Sequence, residues 1–227
     1  MMKILDFGCG NGDNVYFLTV ENKANEVIGV DLDIASATNK YPRLKFIQLE
    51  NGKLPFAAGC FDAVYASDVL EHVGDLNLAI SEISRVLKSG GKWIISIPHY
   101  KTEKILAAIN PDYLKQIGHQ RIFSAGELEA ILERVGFAII SRRQKGAFMF
   151  FALWLLLRKK RNILNQRGEF EPTPFYKALM VLNQFFDWEI TFKTRAKYLP
   201  LWLIAWPLAW IFDKIYPKTI KLVAVKK

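Results

Sequence analysis

Cysteine is scarce in this chain of 227 residues, which contains only Cys9 and Cys60. Two cysteines so far apart form neither a zinc-ligand spacing nor a disulfide framework, so no metal site is predicted. Few cysteines are typical of a reducing environment, and the first residues already read as a strand rather than as a signal peptide. A cytoplasmic location is therefore predicted.

Apolar runs long enough to cross a bilayer are also missing. The two longest runs, 147–157 and 199–212, contain 11 and 14 residues. Both fall short of the ~20 apolar residues that a membrane-spanning helix needs.

A further absence concerns the glycine-rich loop that follows the first apolar run. The dinucleotide fingerprint G-x-G-x-x-G needs its third glycine for close packing of helix on strand. Gly8 and Gly10 match it, but Asp13 stands in the third place and the extra glycine is Gly12. Alternate glycines still suit a strand-to-helix turn that cradles a cofactor, because glycine tolerates positive φ and close backbone approach.

An acidic residue follows the second predicted strand. Asp31 lies at about the separation from the glycine loop at which a βαβ unit places a carboxylate against a ribose. Its oxygens can accept two hydroxyl hydrogens, and Leu32 beside it could lie flat against an adenine ring. The alternative, that Asp31 only caps a helix, is weakened by the glycines upstream.

Three segments together resemble one known family. The pattern D-x-G-C-G-x-G at 6–12 resembles motif I of class I S-adenosylmethionine-dependent methyltransferases. Residues 61–73 resemble the F-D-x-V-x-x-x-x-V-L-E-H-V segment of the type 11 group, which includes ubiquinone and menaquinone biosynthesis enzymes, and 87–91 resemble its L-K-P-G-G. The resemblance covers roughly residues 3–141 and implies S-adenosyl-L-methionine as the cofactor.

The resemblance also implies positions for the cofactor. Glu50 and Asn51 would lie at the adenine, where Glu50 replaces the usual aspartate, and Asp68 would lie near the methionine part. The predicted cofactor-binding residues are Asp6, Gly8, Gly10, Gly12, Asp31, Leu32, Glu50, Asn51 and Asp68.

Candidate catalytic residues follow strand five and occupy the linker that in this family folds over the substrate. A base is needed only if the methyl acceptor must lose a proton, and His99, Tyr100 and His119 are the candidates. For His119 an ordinary surface histidine is an equal alternative. Glu71 and His72 could act as acid and base, but we favour a role in orienting their loop and capping the next helix.

The order of predicted elements indicates an α/β fold. We expect a Rossmann-like, doubly wound seven-stranded sheet, mostly parallel, whose last strand near 219–225 is antiparallel. Residues 1–141 and 219–227 would form the core, with a helical insertion at 142–218 between strands six and seven. Family members usually have helices before motif I, so we expect either an unusually open cofactor site or a reading frame that starts further upstream.

The predicted insertion differs from the rest of the chain in charge. Residues 141–218 contain 14 Lys or Arg but five acidic residues, whereas the remainder has 17 of each. They also contain five of the six tryptophans, three of which recur every fourth residue at 202, 206 and 210. Tryptophan favours the headgroup level and basic residues attract anionic lipid, so residues 147–212 predict a pair of interfacial helices on an anionic membrane.

Alternatives to a membrane role follow from the same composition. The apolar runs could form a second hydrophobic core or a homodimer interface. RNA binding is disfavoured, because an RNA groove does not call for unbroken apolar runs and no N-P-P-Y sequence follows strand four, so no nucleic-acid partner is predicted.

These features lead to one preferred function and two alternatives. The preferred function is methylation of a small or lipid-like acceptor, such as a lipid, a quinone precursor or a lipid-linked glycan, by a peripheral protein at the inner membrane face. The alternatives are a methyltransferase of a soluble small molecule whose insertion is a dimer interface, and a non-catalytic scaffold that keeps the fold. The intact Gly8, Gly10, Gly12 and Asp31 argue against the scaffold.

Overall fold

The computed structural model describes residues 1–23, 25–145 and 217–227. The apolar segments predicted as helices at 147–157 and 199–212 lie outside these described residues. None of the helices described is both long and apolar enough to cross a membrane.

The described residues form seven strands and six helices. The strands are β1 (Lys3–Phe7), β2 (Glu26–Asp31), β3 (Lys45–Gln48), β4 (Phe61–Ser67), β5 (Leu87–Pro98), β6 (Phe137–Lys145) and β7 (Thr219–Lys226). The helices are α1 (Asp13–Glu21), α2 (Ala35–Lys40), α3 (Leu76–Val86), α4 (Tyr100–Ile109), α5 (Tyr113–Gln116) and α6 (Glu127–Arg134).

All seven strands belong to one sheet, in the order β3-β2-β1-β4-β5-β7-β6. β1 pairs in parallel with β2 on one side and with β4 on the other, and the pairs β2–β3 and β4–β5 are parallel too. The last strand is antiparallel, so the predicted seven-stranded Rossmann-like sheet is confirmed. The strand order reverses between β1 and β4, where open α/β sheets bind their ligands at the carboxyl ends of the strands.

Helix α3 shows how local sequence builds the framework. Its apolar stripe buries Ile80 and Ile83, which are 1% and 0% exposed, against the sheet. The Asp75 side chain caps the first turn by accepting a hydrogen bond from Leu78 N at 2.9 Å. At the other end Lys226 Nζ donates to the carbonyls of Ser84 and Leu87, which joins the end of the helix to β7.

Strand β5 begins at Leu87, so residues 87–91, which resemble the family's L-K-P-G-G, belong to this strand. Leu87 already pairs with Phe61, and Lys92 pairs with Ala63, so residues 88–91 form an irregularity in the register. Gly90 has φ +75°, which explains why glycine is needed at this bulge.

The chain divides into two compact units. The first comprises Met1–Ile97, Ser124–Arg142 and Lys221–Lys227. The described part of the second comprises Pro98–Phe123, 143–145 and 217–220. The predicted limits of the core and of the insertion stay predictions.

Candidate cofactor-binding site

The loop between β1 and α1 takes a conformation that requires glycine. Gly8, Gly10 and Gly12 have φ of +74°, +52° and +82°, which lie in the left-handed region. The amides of Gly8 and Cys9 both donate to the carbonyl of Val30 at the end of β2. The loop therefore turns sharply out of β1 and is held against the neighbouring strand.

Gly8 is further constrained by the chain that follows β4. A Cβ at this position would lie 2.7 Å from the Cβ of Val69, closer than two non-bonded carbon atoms can approach. At Gly10, by contrast, a Cβ would meet no atom within 4 Å. The loop thus packs tightly at Gly8 and faces open space at Gly10, which is the form of a cradle for a ligand.

Asp31, the last residue of β2, bonds to this loop with one carboxylate oxygen and to the backbone that follows β2 with the other. Oδ2 accepts a hydrogen bond from Gly10 N and Oδ1 accepts one from Leu32 N, each at 2.7 Å. Oδ1 also accepts a longer bond from Asp33 N at 3.5 Å. A carboxylate oxygen can accept two hydrogen bonds, so Oδ2 retains an acceptor direction that a ribose hydroxyl could use. Leu32 is 69% exposed and lines the cavity beside Asp31.

Two strained residues occur at the same edge of the sheet. Asn51 and Asp68 are the only non-glycine residues with positive φ in the described part of the chain, at +56° and +51°. Asp68 is held there from β5, because its amide donates to the Ser96 carbonyl and its Oδ1 accepts from Ser96 Oγ at 2.9 Å. Strain of this kind costs about 1–3 kcal/mol per residue and clusters at functional sites.

These features surround one cavity of about 470 Å³ in the first unit. Its lining comes from the residues that follow β1, β2, β3 and β4 and from the start of α3. The volume is in the range of sites for small ligands and cofactors. The cavity lies at the reversal of strand order, where the topology predicts a binding site.

The charge of the lining distinguishes between classes of nucleotide. Among the described residues that line the cavity, Asp31, Asp68 and Asp75 are acidic and none is lysine or arginine. A pyrophosphate would be repelled by this lining, whereas the sulfonium and ammonium groups of S-adenosyl-L-methionine would be attracted. The side chains of Val69, Val73 and Leu78 make part of the lining apolar.

Asp6, near the end of β1, is a further acidic residue close to the cavity. Its side chain is 2% exposed, and Oδ1 accepts a hydrogen bond from Asn14 Nδ2 at 2.7 Å. Oδ2 is buried without a hydrogen-bond partner among the described residues. Burial raises the pKa of Asp6 to about 7. The hydrogen bond from Asn14 lowers this pKa, and the nearby charge of Asp31 raises it further. Asp6 does not itself line the cavity, but it directly precedes the lining residue Phe7.

The nine predicted cofactor residues all belong to the first unit, and five of them line the cavity: Gly8, Gly10, Asp31, Leu32 and Asp68. Asp6 directly precedes the lining residue Phe7, and Gly12 forms the start of α1. Glu50 and Asn51 lie in the turn between Leu49 and Gly52, two residues that do line the cavity.

The sequence did not single out the apolar part of the lining. Val69, Val73 and Leu78 contact the cavity, and their pattern alone cannot be distinguished from that of core residues. The sequence feature that could have indicated Val69 and Val73 as lining residues is the position of the V-L-E-H-V segment directly after a strand. His72 also lines the cavity, while the cap of α3 that we predicted for Glu71 and His72 is Asp75.

The predicted catalytic residues lie in the second unit. His99 is 3% exposed and caps α4, with Nδ1 accepting from Lys101 N at 3.3 Å and the ring stacked on Tyr100. His119 Nδ1 lies 2.7 Å from Oε2 of Glu103, whose side chain is 5% exposed and whose Oε1 accepts from the Tyr113 hydroxyl. The His119 side chain is 8% exposed and is bonded to this carboxylate.

Comparison with known proteins also indicates S-adenosyl-L-methionine as the cofactor. A sequence profile of the methyltransferase domain family, type 11, matches residues 5–95. A probable S-adenosylmethionine-dependent methyltransferase of Mycolicibacterium smegmatis is 31% identical over 139 residues, which cover 60% of this chain and 52% of that protein. A sterol 24-C-methyltransferase of Pneumocystis carinii is 32% identical over 152 residues, which cover 60% of this chain and 40% of that protein.

The fold is also that of a solved methyltransferase. The geranyl diphosphate C-methyltransferase of Streptomyces coelicolor, solved with S-adenosyl-L-homocysteine, aligns with a TM-score of 0.63 and 14% identity over 100% of this chain and 73% of that one. The chain spans about half the length of the first curated relatives that it matches. Residues 5–95 therefore match this methyltransferase domain family, and the relatives support a class I S-adenosylmethionine-dependent methyltransferase of type 11.

Proposed function

We propose that the protein transfers a methyl group from S-adenosyl-L-methionine to an acceptor with an apolar, lipid-like body, at the cytosolic face of an anionic membrane. The observation that carries this proposal is the concentration of basic residues and tryptophans in residues 141–218. This segment contains 14 basic and five acidic residues and five of the six tryptophans. The remaining 17 basic and 17 acidic residues cancel, so the basic excess belongs to this segment alone.

The chemistry of the cofactor leaves the protein a limited task. When bound, S-adenosyl-L-methionine supplies a methyl group already activated by its sulfonium charge. The residues of the chain bind and orient the partners and exclude water. Asp31 and the glycine loop would hold the ribose, and the acidic lining at Asp68 would face the charged end.

The type of acceptor is supported by relatives and by composition together. A sterol 24-C-methyltransferase, as its name states, methylates a sterol, which has an apolar body. Sterols and similar acceptors reside in membranes, so an enzyme that modifies them benefits from a surface that binds lipid. The apolar runs at 147–157 and 199–212, with four consecutive basic residues at 158–161, have the composition of such a surface.

Flotation with vesicles tests the membrane part of the proposal. We expect the full chain to float with mixed phosphatidylcholine and phosphatidylglycerol vesicles and to remain in solution with phosphatidylcholine alone. Substitution of Arg158, Lys159, Lys160 and Arg161 by glutamine should weaken binding about a thousandfold, at roughly 1 kcal/mol per basic residue.

The control for this experiment changes the same amount of charge elsewhere. Lys23, Lys92, Lys101 and Lys104 are exposed, and their replacement by glutamine should leave flotation unchanged. Equal losses in the two variants would show that only net charge matters. No flotation of the wild-type chain would contradict the membrane role.

Transfer of a labelled methyl group identifies the acceptor class. The enzyme is incubated with labelled cofactor and either a lipid extract or an aqueous extract of cells. We expect the label in an extractable lipid product. Label only in water-soluble products would favour a soluble acceptor and would overturn the proposed substrate class without affecting the assignment of the cofactor.

His119 is the residue that we propose as the base where the acceptor atom carries a proton. A carboxylate only accepts hydrogen bonds, so the bond to Glu103 places the proton of the neutral ring on Nδ1 and makes Nε2 the atom that accepts a proton from the acceptor. We expect His119→Asn to lower kcat by about a hundredfold, the usual contribution of a general base, while the Kd for the cofactor stays unchanged.

The matched variant for this prediction is Glu103→Gln. It keeps the size of the side chain but weakens the bond to His119, so its effect on kcat should have the same direction and be smaller. An unchanged kcat in His119→Asn would remove this residue from the reaction. His99 and Tyr100 would then remain as candidates.

A further inference from the structure

Two charged residues one turn apart on α3 hold the segment between β3 and β4. Glu82 Oε2 accepts a hydrogen bond from Leu54 N at 2.8 Å. Arg85 donates from Nη1 to the Phe56 carbonyl at 2.7 Å and from Nη2 to the Leu54 carbonyl at 2.9 Å. Three backbone groups of the segment are therefore satisfied by two side chains of one helix.

The two side chains are also bonded to each other. Arg85 Nε lies 2.8 Å from Oε1 of Glu82, and Nη2 lies 2.8 Å from Oε2. The guanidinium holds the pKa of Glu82 below its usual range, and the carboxylate raises the pKa of Arg85. The planar fork of arginine can reach the carboxylate and two carbonyls together, which a lysine ammonium cannot do in the same geometry.

The held segment continues directly into the cavity. Leu54 is 3% exposed and anchors the segment, while Leu49 and Gly52, a few residues earlier, line the cavity. Gly52 has φ +70°, and a Cβ there would lie 3.1 Å from the Leu78 side chain. Since Leu78 also lines the cavity, the turn and α3 meet along one wall of the site.

Neither Glu82 nor Arg85 is among the residues that line the cavity. Their contacts nevertheless fix one end of a short, strained turn whose other end forms part of the wall. We propose that Glu82 and Arg85 are positioning residues for the cofactor, which hold the 49–56 segment against α3 and thereby set the affinity for S-adenosyl-L-methionine. This inference rests on the assigned cofactor and is independent of the methyl acceptor.

Arg85→Lys is the first test, because it keeps the positive charge and removes the fork. The Kd for S-adenosyl-L-methionine is measured by titration calorimetry, and amide hydrogen exchange is followed in residues 50–56. We expect the Kd to rise about tenfold, as for the loss of a charge-assisted hydrogen bond, and the amide of Leu54 to exchange faster. At saturating cofactor, kcat should stay within about twofold of wild type, because the change acts on cofactor binding.

The chain offers a matched control in Arg142, which bonds to Glu129 with Nε at 3.0 Å. The side chains of that pair are 41% and 17% exposed, against 36% and 12% for Arg85 and Glu82, and neither residue lines the cavity. Arg142→Lys should leave the Kd for the cofactor unchanged. A merely structural role for Arg85 would lower the melting temperature without changing the Kd of the folded protein.

Glu82→Gln provides a second variant that keeps the shape and one acceptor oxygen. It should also raise the Kd, by less than Arg85→Lys, since the Arg85 contacts to the carbonyls remain. If Arg85→Lys does not fold, this variant and the exchange rates of residues 50–56 decide the question. An unchanged Kd in either folded variant would overturn the proposal.

Discussion

Gly8→Ala should reduce the affinity for S-adenosyl-L-methionine about a hundredfold, the cost expected when binding groups move by about 1 Å. The new methyl group would lie 2.7 Å from the Cβ of Val69, an atom attached to the backbone that no side-chain rotation can move. Alanine would also have to adopt φ near +74°. Together we expect a loss of about 3 kcal/mol in the free energy of unfolding.

Calorimetric titration with the cofactor and urea denaturation measure the two effects of Gly8→Ala. Gly126→Ala is the matched control, because Gly126 has the same φ of +74° but a Cβ there would meet no atom within 4 Å. It starts α6 and does not line the cavity, so it should lose stability without losing affinity. Similar Kd values for the two variants would show that tight packing at Gly8 is not needed for binding.

The second prediction is a fall in stability with rising pH that depends on Asp6. Its pKa rises from 3.8 to about 7 on folding, so between these values the unfolded chain is ionised while the folded protein keeps the proton. The folded state then binds more protons, and the free energy of unfolding decreases as pH increases. The contribution amounts to about 4 kcal/mol between pH 4 and pH 7 and is constant above that range.

Urea denaturation of wild type and Asp6→Asn across this range measures that contribution as a difference. The stability of wild type relative to Asp6→Asn should fall by about 4 kcal/mol from pH 4 to pH 7. Asp62→Asn is the control, because bonds from the Lys3 amide and Lys88 hold the pKa of Asp62 below its usual range. The stability of wild type relative to Asp62→Asn should therefore show no slope between pH 5 and pH 8, because the contribution of Asp62 changes only in more acidic solution. A parallel pH dependence of wild type and Asp6→Asn would contradict the raised pKa.

Cofactor binding should change the ionisation of the same residue. A bound cation favours the carboxylate form, so binding near pH 6 should release protons from wild type. Calorimetric titrations in buffers of different ionisation enthalpy count these protons, and Asp6→Asn should release fewer. Equal release by both proteins would show that Asp6 does not face the charged part of the cofactor.

Local sequence was sufficient to predict the seven-stranded fold and the glycine-rich turn. Alternate glycines after an apolar run predict the turn at Gly8–Gly12, because no other residue adopts positive φ at so little cost. The place of Asp31 after the next strand predicts its position at the same edge, since parallel strands end together. These are properties of neighbouring residues, which a sequence shows directly.

Other parts of the site depend on residues that are distant in sequence. The contact that excludes a side chain at Gly8 comes from Val69, and the turn at 49–52 is held by Glu82 and Arg85 through Leu54 and Phe56. In the sequence, Glu82 and Arg85 resemble any surface ion pair on a helix. Their role follows only from which backbone carbonyls lie opposite them.

The sequence by itself determined the fold class and the strand-to-helix turn, because both depend on residue pattern and backbone conformation. The type of cofactor followed from the resemblance of the sequence motifs to a known family. Only the tertiary structure decided which side chains share the cavity, and why Asp6 keeps its proton up to about pH 7. The physical reason is that burial and electrostatics depend on surroundings in space. A carboxyl group beside Asn14 and Asp31, 2% exposed, cannot be distinguished in the sequence from one in water.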